Sequence, residues 1–276
     1  MKKSVVKGLS IMKRTRIDRI AGEVPPSMAA WIKGATLFDS SCSPEARVYF
    51  LDRDGGYYLK TAPRACLASE AAMTAYFHQK GLGAEVIEYQ STEDADWLLT
   101  TRVAGEDCTH EVYLSDPARL CDLLAEELRA LHETDCSDCP VPDRMRTYFA
   151  LADRNYAEGK GDLSLFERAE GGFSFYSIDE AYAVLREGRV ALTNDVLLHG
   201  DYCLPNIMLD SWKRSGFIDV GNGGVGDRHV DLFWGVWTLA YNLKTDRYRT
   251  RFLDAYGRDR VDESLLRVIA AAEVFG

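Results

Sequence analysis

The sequence predicts an α+β chain in two unequal parts, and three observations carry that prediction. The front reads strand, strand, helix, strand, strand. The back reads as a series of helices, interrupted over 196–220 by short apolar runs and polar loops. Charge divides at the same place: residues 1–104 hold 14 basic and 12 acidic side chains, whereas residues 105–276 hold 19 basic and 31 acidic. At roughly 150 residues per domain, 276 residues make about two domains. A near-neutral front and an acidic back point to two partners of different charge.

Each element has a local reason. Residues 1–16 carry six Lys or Arg and no apolar pattern, so no regular element is predicted there. A helix around Met28–Gly34 follows Pro25-Pro26. The strand-forming runs Ala46–Asp52 and Tyr57–Lys60 flank Asp52-Arg-Asp-Gly-Gly56, a hairpin turn. Ser69 is the predicted N-cap of a helix over Glu70–Gln79, which Gly81 ends. Strands follow at Ala84–Gln90 and Trp97–Val103. In the back half, Asp116-Pro117 opens a helix as cap and first residue, and Leu120, Leu123, Leu124, Leu128 and Leu131 form its buried stripe. Ser177-Ile-Asp-Glu180 is a capping box, and Gly188 closes its helix. Later helices are predicted at Asp231–Leu243, Arg247–Tyr256 and Asp262–Phe275.

Composition excludes several classes. With 46% hydrophobic and 28% charged residues the chain is neither disordered nor fibrous. No apolar run reaches the ~20 residues that span a bilayer, and no secretory core is visible, so a cytoplasmic protein without membrane contact is expected. A net charge of −10 argues against nucleic acid as a partner. Seven scattered cysteines read as reduced thiols. Cys136-Ser-Asp-Cys139, even with His132 nearby, offers too few ligands for zinc. A monomer is the default expectation.

The chemistry concentrates in 196–220. Residues 198–206 read Leu-His-Gly-Asp-Tyr-Cys-Leu-Pro-Asn and residues 216–221 read Gly-Phe-Ile-Asp-Val-Gly. One aspartate ends an apolar run, an asparagine follows five residues on, and a second aspartate ends another apolar run. Phosphoryl transfer calls for such a set. One carboxylate orients an attacking hydroxyl and takes its proton, while an amide oxygen and a second carboxylate suit magnesium, a hard ion. In the front half Lys60 ends a strand and Glu70 starts the next helix, a pairing that lets the lysine hold phosphates while the glutamate positions it.

On these residues the chain resembles the aminoglycoside phosphotransferases of the protein-kinase-like superfamily. The string from Gly216-Phe-Ile-Asp-Val-Gly221 to Asp227-Arg228-His229-x-Asp231-Leu232 is most similar to the 3′ branch. The resemblance implies a two-lobed protein-kinase-like fold: a small β-rich N-lobe over residues 1–104, including the hinge, and a larger, mostly helical C-lobe over 105–276. It implies ATP, with GTP left open, and Mg2+. It makes Asp201 the catalytic base, Asn206 and Asp219 the magnesium ligands, and Asp231 and His199 bracing residues. Lys60 and Glu70 would handle the phosphates. Backbone around Thr101 and Val103, in the hinge, would meet adenine. No glycine-rich loop precedes Ala46; Asp39-Ser-Ser-Cys-Ser-Pro44 stands there, so Ser40, Ser41 and Ser43 become phosphate contacts.

The expected acceptor is a polycationic small molecule, an aminoglycoside phosphorylated on its 3′-hydroxyl. Asp227, Glu167, Glu170, Glu273 and Phe275 are its expected contacts, the last two because the chain ends Glu-x-Phe as in the 3′ branch, with one extra glycine. Many members of that branch carry an arginine where this chain has Asn222. Two alternatives stay open on the sequence: a kinase for another cationic alcohol such as choline or for another antibiotic, and a catalytically inactive nucleotide-binding regulator.

Overall fold

A computed structural model of the chain describes residues 14–166 and 172–276. Within them lie two compact units: residues 14–107 with 205–221, and residues 108–204 with 222–276. The segment 205–221 therefore groups with the front of the chain.

The first unit begins with β1 (Thr15–Ile17), α1 (Pro26–Ile32), β2 (Thr36–Asp39), β3 (Arg47–Asp52), β4 (Tyr57–Pro63), α2 (Ala68–Gln79), β5 (Val86–Ser91), β6 (Ala95–Thr101) and the short β7 (Glu106–Asp107). Six strands form one antiparallel sheet in the order β1-β2-β3-β4-β6-β5. The sequence predicts only four. β1 has three residues, two of them exposed, and β2 has four, so neither shows an alternation long enough to read. The period of two is clear in β6: Trp97 and Leu99 join Met28, Leu37, Tyr49, Leu51 and Leu59 in one cluster, while Leu98 joins Ala62, Leu67 and Ala71 in another. α1 starts two residues before the expected Met28, because Pro26 takes its first position, where no amide hydrogen is needed.

α2 corrects a second expectation. Its N-cap is Leu67, not Ser69, and the Leu67 amide donates to Asp96 Oδ2 at 2.8 Å. Ser69 instead donates to the Gly221 carbonyl at 3.4 Å. A carboxylate from the neighbouring strand thus takes over the work of a local cap.

From residue 108 the chain builds the second unit: α3 (Glu111–Leu114), α4 (Pro117–His132), α5 (Arg144–Ala157), α6 (Ile178–Gly188) and β8 (Val196–Leu198). It returns to the first unit for the hairpin β9 (Ile207–Asp210) and β10 (Lys213–Phe217), which pairs with β7. β11 (Gly224–Gly226), α7 (His229–Leu243), α8 (Arg249–Gly257) and α9 (Glu263–Glu273) complete the second unit, with β11 antiparallel to β8. Asp116 and Ser177 cap α4 and α6 as predicted. In the back-bond of the capping box Glu180 Oε2 accepts from the amide of Tyr176, one residue earlier than the motif requires. Gly188 lies where a Cβ would stand 2.2 Å from Val268, so it admits α9 closely against α6. Among the described residues no helix is long and apolar enough to cross a membrane.

Candidate active site

In the first unit the functional side chains gather around Lys60. Its Nζ lies 2.8 and 2.7 Å from the two oxygens of Glu70 and 2.9 Å from Asp219 Oδ1. β4 supplies the lysine, the first turn of α2 the glutamate, and the residue after next beyond β10 the aspartate. Burial pulls the lysine pKa down, but the carboxylates of Asp219 and Glu70 outweigh it and hold the ammonium charged well above its ordinary range. Asp219 adopts φ of +57°, a left-handed conformation that costs a side chain other than glycine roughly 1–2 kcal/mol. Its side chain is 47% exposed although its neighbours on β10 are buried. Asn206 belongs beside it: Phe217 pairs with Ile207 in the hairpin, and the Ile218 amide donates to the Asn206 carbonyl at 3.0 Å. The register therefore puts Asn206 and Asp219 at the same end of the β9–β10 hairpin. Their amide and carboxylate oxygens are donors of the hard kind that magnesium prefers.

In the second unit a buried carboxylate shapes the loop that follows β8. Asp231, in the first turn of α7, accepts from the amides of His199 and Gly200 at 2.8 Å each, and His132 Nε2 lies 3.2 Å from it. Gly200 has φ of +82°, and a Cβ there would stand 2.0 Å from the Asn222 carbonyl oxygen, so only glycine fits. The Leu204 amide donates to Thr238 Oγ1 at 3.1 Å, and the Tyr202 hydroxyl to the Leu124 carbonyl at 2.8 Å. Asp201 is thus held on both sides by buried anchors.

Asp201 acts on the carboxyl group of Glu273, at the end of α9. Glu273 Oε1 accepts from the Tyr148 hydroxyl at 2.7 Å and from Trp234 Nε1 at 3.2 Å. Burial pushes its pKa up to about 7; the Asp201 charge adds to that rise, while the bonds from Tyr148 and Trp234 and the Arg144 charge oppose it.

The phosphotransferase enzyme family model matches residues 37–266. The chain is 48% identical over 265 residues to a probable aminoglycoside 3′-phosphotransferase of Lactococcus lactis, covering 96% of this chain and 99% of that one. The chain belongs to the aminoglycoside phosphotransferase family. An aminoglycoside 3′-phosphotransferase of Streptomyces fradiae is 34% identical, with 76% of this chain and 81% of that one covered. The solved aminoglycoside 3′-phosphotransferase of type VIII superposes with a TM-score of 0.69 at 28% identity, over 83% of this chain and 88% of that one. The expected kinase-like α+β fold is borne out by these structural relatives.

Within this phosphotransferase several expected contacts have other work. Asp227 is 1% exposed. Its Oδ2 accepts from the amide and hydroxyl of Thr193 at 2.7 and 3.1 Å, and its Oδ1 from the amide of His229 at 2.8 Å. His229 Nδ1 adds a fourth bond at 2.6 Å; the Asp262 amide donates to Nε2, which leaves Nδ1 as the donor. Asp227 is corrected from a substrate contact to a brace between β11 and α7. Phe275 is likewise buried, edge-on to Tyr156 and Tyr182, so it packs instead of facing a ligand. Ser41 Oγ accepts from the Val48 amide at 3.0 Å and the Ser41 amide donates to Asp39, so this serine shapes its own turn. Ser43 is half-buried further along the same loop. Thr101 is tied to Glu85 through its amide and hydroxyl at 3.0 Å each. Val103 packs with Ala84, Met208 and Ile218 in an apolar cluster. Glu167 and Glu170 lie outside the described residues.

The sequence reading missed Arg144, Tyr148 and Trp234, the partners gathered around Glu273. None of the seven cysteines is in a disulfide, and among the described residues no group of three or more His, Cys, Asp or Glu side chains could hold a metal ion.

Proposed function

We propose that this chain transfers the γ-phosphate of ATP to an aminoglycoside hydroxyl, specifically the 3′-hydroxyl. The observation that carries the reading is the contact of one lysine with both Glu70 and Asp219. A lysine so fixed presents a permanent cation to phosphate oxygens, and that is the role of the strand lysine in kinase-type transfer. In the same reading residues 1–104 bind nucleotide, with Val103 in the apolar cluster against adenine, and residues 105–276 bind the acceptor. Asn206 and Asp219 would hold magnesium, which would neutralise phosphate charge.

The chain's own groups then divide the work. Lys60 steadies the phosphates, and Glu70 fixes Lys60. Asp201, on its rigid loop, orients the hydroxyl and accepts its proton. Glu273 receives an ammonium group of the drug, which supports a polycationic acceptor over a neutral sugar. Most of the acceleration comes from positioning and charge neutralisation, because the transition state is loose. The names of the relatives support an aminoglycoside and its 3′ position.

A panel of kanamycin, its 3′-deoxy relative tobramycin, streptomycin and choline, read by ATP consumption, tests the proposal. Consumption with kanamycin and none with tobramycin is expected. Turnover of choline alone, or equal turnover of tobramycin, contradicts it.

A further inference from the structure

Asp96 belongs to none of the sequence motifs, yet it reaches the segment that joins Lys60 to Glu70. It lies on β6 with none of its surface exposed. In the pairing of β4 with β6, Asp96 stands opposite Ala62 and Leu98 opposite Lys60. Side chains alternate along a strand, so these four share one face of the sheet. α2 lies on that face, with Leu67 and Ala71 packed against Ala62 and Leu98. Glu70, from the same turn, meets Lys60 at 2.8 and 2.7 Å.

Apolar contact is non-directional: it presses α2 to the sheet without setting its position along the strands or its rotation. A hydrogen bond sets both, because its geometry is narrow. Asp96 Oδ2 accepts from the Leu67 amide at 2.8 Å, and Oδ1 from the Ser91 hydroxyl at 2.6 Å. One buried carboxylate thus ties the start of α2 to the end of β5. Burial alone would raise its pKa, but the bonds from Ser91, from the amides of Leu67 and Ala65 and from Tyr89 outweigh burial and hold it below its ordinary value. Ala65, between β4 and α2, has φ of +65°, in the left-handed region that disfavours any side chain, so this connection is held and not relaxed. Another tie of the same turn, from Ser69 to the Gly221 carbonyl, is long at 3.4 Å.

We propose that Asp96 is a positioning residue for the Lys60–Glu70 pair: by holding the Leu67 amide it sets the start of α2, and so where Glu70 meets Lys60. The effect on ATP rests on the nucleotide reading above, so the test includes a readout that needs no nucleotide. In the ligand-free full-length protein, Asp96→Ala should speed hydrogen exchange at the Leu67 amide, read by NMR, about tenfold or more. Magnesium ATP, titrated calorimetrically into the same variant, should bind about tenfold more weakly, the loss of one charge-assisted contact. KM for kanamycin should stay within about twofold, whereas a general loosening of the fold would raise it as well. Asp96→Asn should restore both readouts, because its amide oxygen can turn to Leu67 while its NH2 group donates to the Ser91 hydroxyl. In a Glu70→Gln background, Asp96→Ala should weaken ATP binding by less than about twofold, since the two residues act through one contact. If Asp96→Ala does not fold by circular dichroism, Ser91→Ala, which frees the other carboxylate oxygen, should move both readouts the same way by a smaller amount. Unmoved Leu67 exchange, ATP binding as tight as in wild type, independent effects of the Asp96 and Glu70 substitutions, or Asp96→Asn behaving like Asp96→Ala overturns the proposal. Fast Leu67 exchange in the variant of a protein whose wild type binds no ATP upholds the hold of Asp96 on α2 and strikes the nucleotide reading instead.

Discussion

Asp227, buried, and Glu273, half-buried, are both acids of the second unit, and they behave in opposite ways. Asp227 receives four hydrogen bonds, two on each oxygen. Burial alone would raise its pKa, but the bonds from His229 and Thr193 outweigh burial and hold the carboxyl below its ordinary value. Among the described residues Glu273 receives bonds from Tyr148 and Trp234, both on Oε1, and feels the Asp201 charge, and its pKa rises to about 7. Burial raises both; at Asp227 the hydrogen bonds outweigh it, and at Glu273 they do not. A fully bonded carboxylate is stabilised in its charged form, and one with fewer donors beside another acid is not.

Removing a saturated carboxylate should damage the fold, and Asp231 should show this most strongly. Asp231→Ala strands the buried amide of His199 and the partly buried amide of Gly200, at about 1–3 kcal/mol for a buried group, so a loss of roughly 3 kcal/mol in urea unfolding is expected, with turnover lost as the Asp201 loop slackens. A variant as stable as wild type would show that the loop is held by something else. Next comes Asp227→Asn, with an expected loss on the order of 1–3 kcal/mol at pH 7. Because the folded-state pKa of Asp227 is depressed, its contribution is present above the unfolded value of about 4 and disappears as pH falls through the folded value. Variant and wild type should therefore converge in acid, and a gap that persists there would break the comparison.

The smallest expected effect has the opposite sign. Glu273 holds its proton more tightly folded than unfolded, so its contribution to stability is full below about pH 4.5 and is lost as pH rises to about 7. Glu273→Gln should thus be more stable than wild type at pH 8, by on the order of 1–2 kcal/mol, and gain little at pH 5. It should also raise the aminoglycoside KM about tenfold, the worth of one charge-assisted hydrogen bond. Destabilisation by Glu273→Gln at pH 8 would make Glu273 another brace.

These contrasts also explain what the sequence could reveal. Asp201, Asn206 and Asp219 could be singled out because two aspartates end apolar runs and an asparagine follows the first by five residues, and Lys60 and Glu70 because one ends a strand and the other starts a helix; of these the structure joins Lys60 to Glu70 and Asp219. Asp227 was misread because its neighbours in the sequence do not reveal its burial; Thr193, which accounts for two of its four bonds, lies 34 residues away. Arg144 and Tyr148 were invisible for a related reason. α5 reads Arg-Met-Arg-Thr-Tyr-Phe, a polar helix face like many others, and only the fold brings Tyr148 to Glu273 and Arg144 to Asn222. Likewise Ser69 had the right residue type for a cap, but Asp96 arrived from another strand to bind the helix start.

The most direct measurement is phosphorus NMR of kanamycin incubated with ATP, magnesium and either the wild-type protein or Asp201→Asn. The wild type should yield a phosphate ester on the 3′-oxygen. Asp201→Asn, folded and still binding ATP, should form it ~10²–10⁴-fold more slowly. Equal rates from the two proteins, or a phosphate on no sugar hydroxyl at all, would contradict the account.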